Sequence, residues 1–139
     1  ADEATISALL SHPTTHAQNL VEEIKPIMQK YGFKDLNLDI ESVSEASEAA
    51  QIKFTAFVKE VKKNMDKYHL GTLSIDVSPT ALIKPYLINL TAVSSVVDHI
   101  IIMTYDYHYT GSLVTGAVSP MRGAGINATA LERTRAPLR

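Results

Sequence analysis

Lys34-Asp35-Leu36-Asn37-Leu38-Asp39-Ile40-Glu41 alternates between polar and apolar side chains from Asp35 onward. Read with a period of two, Leu36, Leu38 and Ile40 share one face of a strand, and Asn37, Asp39 and Glu41 share the other. With a rise of ~3.3 Å per residue, Asp39 and Glu41 stand roughly 6.6 Å apart along that polar face. An ordinary half-buried strand turns such a face to water. Here the stretch is bracketed by segments of helical periodicity, the pattern of a parallel strand covered by helices. Carboxylates on the inner side of such a strand lose solvation, so they need a partner or a chemical task.

Working outward, residues 2–11 read as a short helix with Ile6, Leu9 and Leu10 at helical spacing, followed by a proline-punctuated loop over 11–15. From Ala17 to about Tyr31, the positions Leu20, Val21, Ile24, Ile27, Met28 and Tyr31 follow the 3.6 period. Pro26 is expected to kink or divide this helix, and Gly32 to end it. The strand is expected over 33–41. Ser42 to Ser47 then form a polar loop in which Ser44 or Ser47 caps a helix running to about Tyr68. Phe54, Phe57, Val58, Val61 and Met65 lie on one side of that helix, and the run Lys59, Lys62, Lys63 and Lys67 is its solvated face. His69-Leu70-Gly71 turns into a second strand over 72–77, with Ser74, Asp76 and Ser78 inward. Pro79 and Thr80 open a helical segment through about Val97, interrupted by Pro85, and a third strand is expected over 99–106. The order α, β, α, β, α, β with connections of crossover length places the chain in the α/β class. From Tyr107 the sequence is irregular, with Gly111, Gly116, Gly123 and Gly125. Residues 129–139 carry three arginines without periodicity. They are expected to be a disordered or added tail, which leaves 1–128 as the domain.

The third strand, His99-Ile100-Ile101-Ile102-Met103-Thr104-Tyr105-Asp106-Tyr107, is apolar at its start and polar at its C-terminal end. In a β/α barrel that end carries the chemistry. Together the two stretches resemble glycoside hydrolase family 18, the chitinases and chitinase-like proteins. The family's signature on its fourth barrel strand, Asp-x-x-Asp-x-Asp-x-Glu, falls on Lys34, Asn37, Asp39 and Glu41. Its Met-x-Tyr-Asp signature on the sixth strand falls on Met103, Tyr105 and Asp106. The resemblance therefore implies a partial (β/α)8 TIM barrel covering about strands 4 to 6 with flanking helices. A complete barrel takes about 250 residues, against 139 here. The chain, which opens Ala1-Asp2-Glu3 with no signal peptide, is expected to start internally and to have the rest of the barrel as its structural partner.

The resemblance also implies a chemistry, hydrolysis of β-1,4 bonds in N-acetylglucosamine polymers with the substrate's acetamido group as nucleophile. Glu41 is the implied general acid and then base, Asp39 orients the acetamido group, and Tyr105 donates to its carbonyl oxygen. Asn37, Asp76, Met103, Asp106 and Tyr107 are the expected substrate-binding residues; for Asp76 two readings stand, a polar residue near the strand end or a third carboxylate tuning Glu41. A general acid at neutral pH needs a raised pKa, which burial and a neighbouring carboxylate supply. The chain departs from the family pattern at Lys34 and Asn37, and it has no tryptophan, which the family places on its eighth strand. Leu-Asn-Leu-Asp-Ile-Glu is familiar among bacterial members related to spore and cell-wall hydrolases. A bacterial cell-wall glycan hydrolase is therefore the alternative reading, beside a non-catalytic sugar-binding relative or an inactive part of a larger enzyme. Secretion or a cell-surface location follows only from the resemblance.

Composition bounds the remaining classes. The net charge of −2 gives no electrostatic case for nucleic acid or an anionic membrane. No apolar run approaches the roughly 20 residues of a membrane span. The sequence has no cysteine, so disulfides and thiolate chemistry are absent from it. His12, His16, His69, His99 and His108 are scattered along the chain, and neither a metal site nor a cofactor is expected. His108 and Tyr107 are placed to stack on or hydrogen-bond sugar, whereas Tyr31, Tyr68 and Tyr86 are expected to pack on helices. Asn89-Leu90-Thr91 and Asn127-Ala128-Thr129 match the glycosylation acceptor pattern by chance.

Overall fold

The computed structural model describes residues 2–119 apart from 43, 82, 85 and 114; the expected tail, Gly123, Gly125 and the second acceptor motif lie outside them. Two helices open the chain. In α1 (Glu3–Ser11) the Asp2 carboxylate caps the first turn, accepting from the Thr5 N–H at 2.8 Å. Pro13 starts α2 (Pro13–Tyr31), so the loop expected through Thr15 is helical from residue 13. A proline is at home in a first turn because the N–H it lacks would have no acceptor there. The second helix also runs undivided through Pro26. Gly32 ends it at φ 73, donating its N–H to the Met28 carbonyl.

The first strand, β1 (Asp35–Leu38), is shorter than the alternation of its sequence. Its ladder with the neighbouring β2 (Thr72–Val77) ends at the Leu38–Ile75 pair, and residues 39–41 continue beyond it. Between the two strands lies α3 (Glu48–Lys67), capped by Ser47, whose hydroxyl accepts from the Ala50 N–H. The last strand, β3 (His99–Ile102), runs parallel to β2 and stops four residues before Asp106. One further bond, from the Met103 N–H to the Val77 carbonyl at 3.0 Å, closes its pairing. The sheet order is β1-β2-β3, all parallel.

The helix expected through Val97 does not form as one element. After β2 the chain turns repeatedly, and among the described residues of this stretch only α4 (Leu90–Val93) is helical, capped by Asn89. Two prolines remove backbone donors from this stretch, and Ser78 competes for the turn, accepting the Thr80 N–H through its hydroxyl at 3.3 Å.

The core lies on one side of the sheet. Phe54, Phe57, Val58, Val61 and Met65 of α3 meet Leu73, Ile75 and Val77 of β2, and Ala17, Val21 and Met28 of α2 join them. All are buried to 5% exposure or less. Tyr31 is instead 62% exposed and stacks on Phe33 at 6.0 Å; Tyr68 sends its hydroxyl to Glu22. The lysine run is solvated except at Lys62, which bonds Asp98 at 2.7 Å. Asp98 also accepts the Leu73 N–H at 2.8 Å, so one carboxylate joins α3, β2 and the entry to β3. Among the described residues no helix is long and apolar enough to cross a membrane.

Two residues hold the strand register from below. Gly71 has φ 113, and a Cβ there would lie 2.1 Å from the Lys34 carbonyl oxygen, which accepts the Thr72 N–H at 2.9 Å. Gly71→Ala is therefore expected to cost at least roughly 1–3 kcal/mol, read as a lower denaturant midpoint with unchanged slope. Lys62 first, then the Leu73 N–H, hold the Asp98 carboxyl below its ordinary value. A lowered folded-state pKa stabilises above the unfolded value and is lost as pH falls through the folded one. Asp98→Asn is thus expected to flatten the acid limb of the stability–pH profile while lowering stability at neutral pH.

Candidate active site

The face of the sheet away from the helices carries the polar residues. Pairing of Asn37 with Ser74 and of Asp76 with Ile101 sets these side chains in one surface. Hydrogen bonds tie it together. Asp35 accepts from Thr72 Oγ1 at 2.7 Å and from Ser74 Oγ at 2.9 Å. Asn37 donates through Nδ2 to Ser74 Oγ at 3.1 Å and to Asp76 Oδ1 at 2.9 Å. The layer between the strand starts and the site is therefore a hydrogen-bonded lattice.

Above it, at the C-terminal ends of the strands, Glu41, Met103, Tyr105, Asp106 and Tyr107 line a cleft of about 220 Å³. Glu41, Asp76 and Met103 also share an adjoining recess of about 30 Å³. Asp39 acts on the same centre: the Tyr105 hydroxyl is pushed above the ordinary phenol value by lost solvation, then by the charges of Glu41, Asp39, Asp76 and Asp106. A phenol so placed stays a hydrogen-bond donor at neutral pH. Asn37 sits one layer lower, and Met103 forms floor, at 6% exposure. All eight residues singled out in the sequence thus fall on one face or in the cleft above it.

Two expectations require correction. Asp39 and Glu41 are exposed, because three strands leave the inner face open to water; the desolvation anticipated for them is absent from this arrangement. Tyr86 lines the cleft beside Lys84 instead of packing on a helix. Thr80, Lys84 and Tyr86 escaped the site reading because a helix was assigned where turns form, whereas Ser78, read as inward on the second strand, lines the cleft with them. Pro79, just past the strand end, and Pro85 further on were the available signal. Among the described residues no group of His, Asp and Glu could hold a metal ion.

Backbone geometry after β3 aims the site. Asp106 adopts φ 57, which turns the chain sharply between Tyr105 and Tyr107. The returning segment is fastened by the Tyr107 N–H to Val118 carbonyl bond at 3.0 Å and by Ser119 Oγ to the Thr104 carbonyl at 2.5 Å. His108 is engaged in the same fastening, its Nδ1 3.0 Å from the Ala117 carbonyl. Its ring leaves no space for a side chain at residue 116, where a Cβ would come within 2.3 Å. Tyr107 is buried at 7% exposure, and burial raises its hydroxyl pKa.

The family model described as "Glycosyl hydrolases family 18" matches residues 1–138. The chain belongs to that family. Among curated relatives, "Probable chitinase 10" of Drosophila melanogaster is 30% identical over 83% of this chain and 5% of its own length. "Putative sporulation-specific glycosylase YdhD" of Bacillus subtilis is 27% identical over 84% of the chain and 27% of its own. Catalytic domain 2 of the Ostrinia furnacalis Group II chitinase superposes with a TM-score of 0.71 at 28% identity, covering 86% of this chain and 32% of that one. A mutant of the same domain, solved with a penta-N-acetylchitooctaose ligand, gives 0.70 at 28% identity, covering 85% and 32%. The chain thus spans about a third or less of these family 18 proteins, and its three strands are part of their barrel fold.

The left-handed turn at Asp106 yields a backbone prediction. Such a conformation costs a Cβ-bearing residue roughly 1–2 kcal/mol, less for Asp or Asn with their short polar side chains. Asp106→Ala is expected to lower the melting temperature, whereas Asp106→Gly retains it and Asp106→Asn stays near wild type.

Proposed function

We propose that these strands carry the acid–base and acetamido-orienting part of a glycosidase site for N-acetylglucosamine-containing polymers. The observation that carries this reading is that Glu41 and Tyr105 line one cleft at the C-terminal end of the sheet while the charge of Asp39 acts on Tyr105. Glu41 protonates the glycosidic oxygen and then takes a proton from water. The acetamido oxygen attacks the anomeric carbon, and the resulting cation is stabilised by Asp39, which accepts from the acetamido N–H. Tyr105, a protonated phenol at neutral pH, donates to the acetamido carbonyl. Asp106, Tyr107 and Met103 shape the wall and floor against the sugar. The chitin-oligosaccharide ligand of the Ostrinia relative supports this substrate class.

A second reading concerns the polymer. Asn37 stands where the family's signature has an acid, and the relative from Bacillus subtilis is named for sporulation. Both favour a cell-wall glycan with the same 2-acetamido sugar at the cleaved position. Either polymer lies outside the cytoplasm, so secretion or a cell-surface location belongs to the same proposal.

The test is turnover of a fluorogenic N-acetylglucosamine oligomer and of peptidoglycan fragments, with oligosaccharide binding followed by NMR. Glu41→Gln is expected to lower kcat by about 10²–10⁴ while binding persists. Equal turnover in the variant removes Glu41 from the acid role. Binding without turnover in the wild type assigns the missing step to subsites on the other strands.

A further inference from the structure

The lattice beneath the cleft gives Asp76 a defined orientation. An asparagine donates only through Nδ2, and both Nδ2 hydrogens of Asn37 are committed, one to Ser74 Oγ and one to Asp76 Oδ1. The Ser74 hydroxyl has its nearer acceptor in Asp35 Oδ2 at 2.9 Å and a longer one in the Leu36 carbonyl at 3.4 Å. Asp76 is thereby an acceptor of this network, reached through the Asn37 amide. It is half-buried on the central strand and borders the recess that also touches Glu41 and Met103. At about 30 Å³ that recess has room for about one water molecule.

On the proposed glycosidase reading, we infer that Asp76 is a positioning residue of the cleft: clamped by Asn37, it holds a fixed negative charge beneath Glu41 and Tyr105 that the reaction uses without touching substrate. A fixed charge costs no reorganisation when positive charge develops at the sugar ring. It also adds to lost solvation and the charges of Glu41 and Asp39 in raising the Tyr105 phenol above its ordinary value. The other charged and titratable groups on this side of the sheet are Asp35, Asp39 and Glu41 on or beyond β1, His99 on β3, and Asp106 beyond it, with Lys84 across the cleft. Asp76 is bound to the lattice through a neutral amide, which holds its charge without neutralising it.

Asp76→Asn keeps an oxygen for Asn37 and removes the charge, which makes it the informative variant; Asp76→Glu returns the charge. Two readouts are taken on the full chain: the Tyr105 titration by NMR of labelled tyrosine, and kcat and KM on the fluorogenic oligomer. In Asp76→Asn the Tyr105 midpoint is expected to fall, and kcat to drop about tenfold with KM within about twofold. Asp76→Glu is expected to recover part of both. An unmoved Tyr105 midpoint in folded Asp76→Asn overturns the inference whether or not the wild type turns over. A rise in KM at constant kcat also overturns it, making Asp76 a substrate contact instead. A wild type inactive toward every glycan counts against the glycosidase reading alone, and the titration then decides the role of Asp76.

Discussion

The register between β1 and β2 is the constraint on which everything above the sheet depends. Strand side chains alternate with a period of two, so a slip of one residue would send Asn37 and Asp39 into the helices and Leu36 and Leu38 into the cleft. The register is fixed where Gly71 passes against the Lys34 carbonyl and the Thr72 N–H bonds it. Apolar packing reinforces the choice, because Phe54, Phe57 and Val61 accept only the Leu73–Ile75–Val77 side of β2. Burial of that side at ~25 cal/mol per Å² of apolar surface is the main stabilising term. The polar lattice from Asp35 to Asp76 then forms on the side that remains.

This division explains which features could be read from sequence. The alternation in Leu36-Asn37-Leu38-Asp39 and the stripe from Phe54 to Met65 are periodic, and each periodicity states both an element and its buried face. The site motifs were visible because they sit at strand ends, where the fold class directs chemistry. The segment 79–89 was misread because its apolar residues mimic a helix. Its outcome depended on hydroxyl and amide side chains claiming backbone donors, which periodicity does not register. The turn at Asp106 was equally hidden, since aspartate is compatible with several backbone conformations.

Exposure of Asp39 and Glu41 follows from a different cause. Local sequence sets which face a carboxylate occupies, whereas the number of strands that curve around that face sets how dry it becomes. With three parallel strands the face is open, and the uncovered Ile101 and Ile102 at the β3 edge mark the same opening. The orienting devices at the site, the Asn37 clamp and the fastened turn after β3, are by contrast complete within these strands.

The fastening of that turn has a further consequence. Bonds from Tyr107 to Val118 and from Ser119 to Thr104 bring the two ends of the segment together at its base, while Leu113 near its tip is fully exposed. Once the base is closed, lengthening a loop at its tip costs little additional entropy, about 0.6 kcal/mol per doubling. The tip is thus a place where evolution can graft new cleft walls of different length while the reacting groups stay where they are.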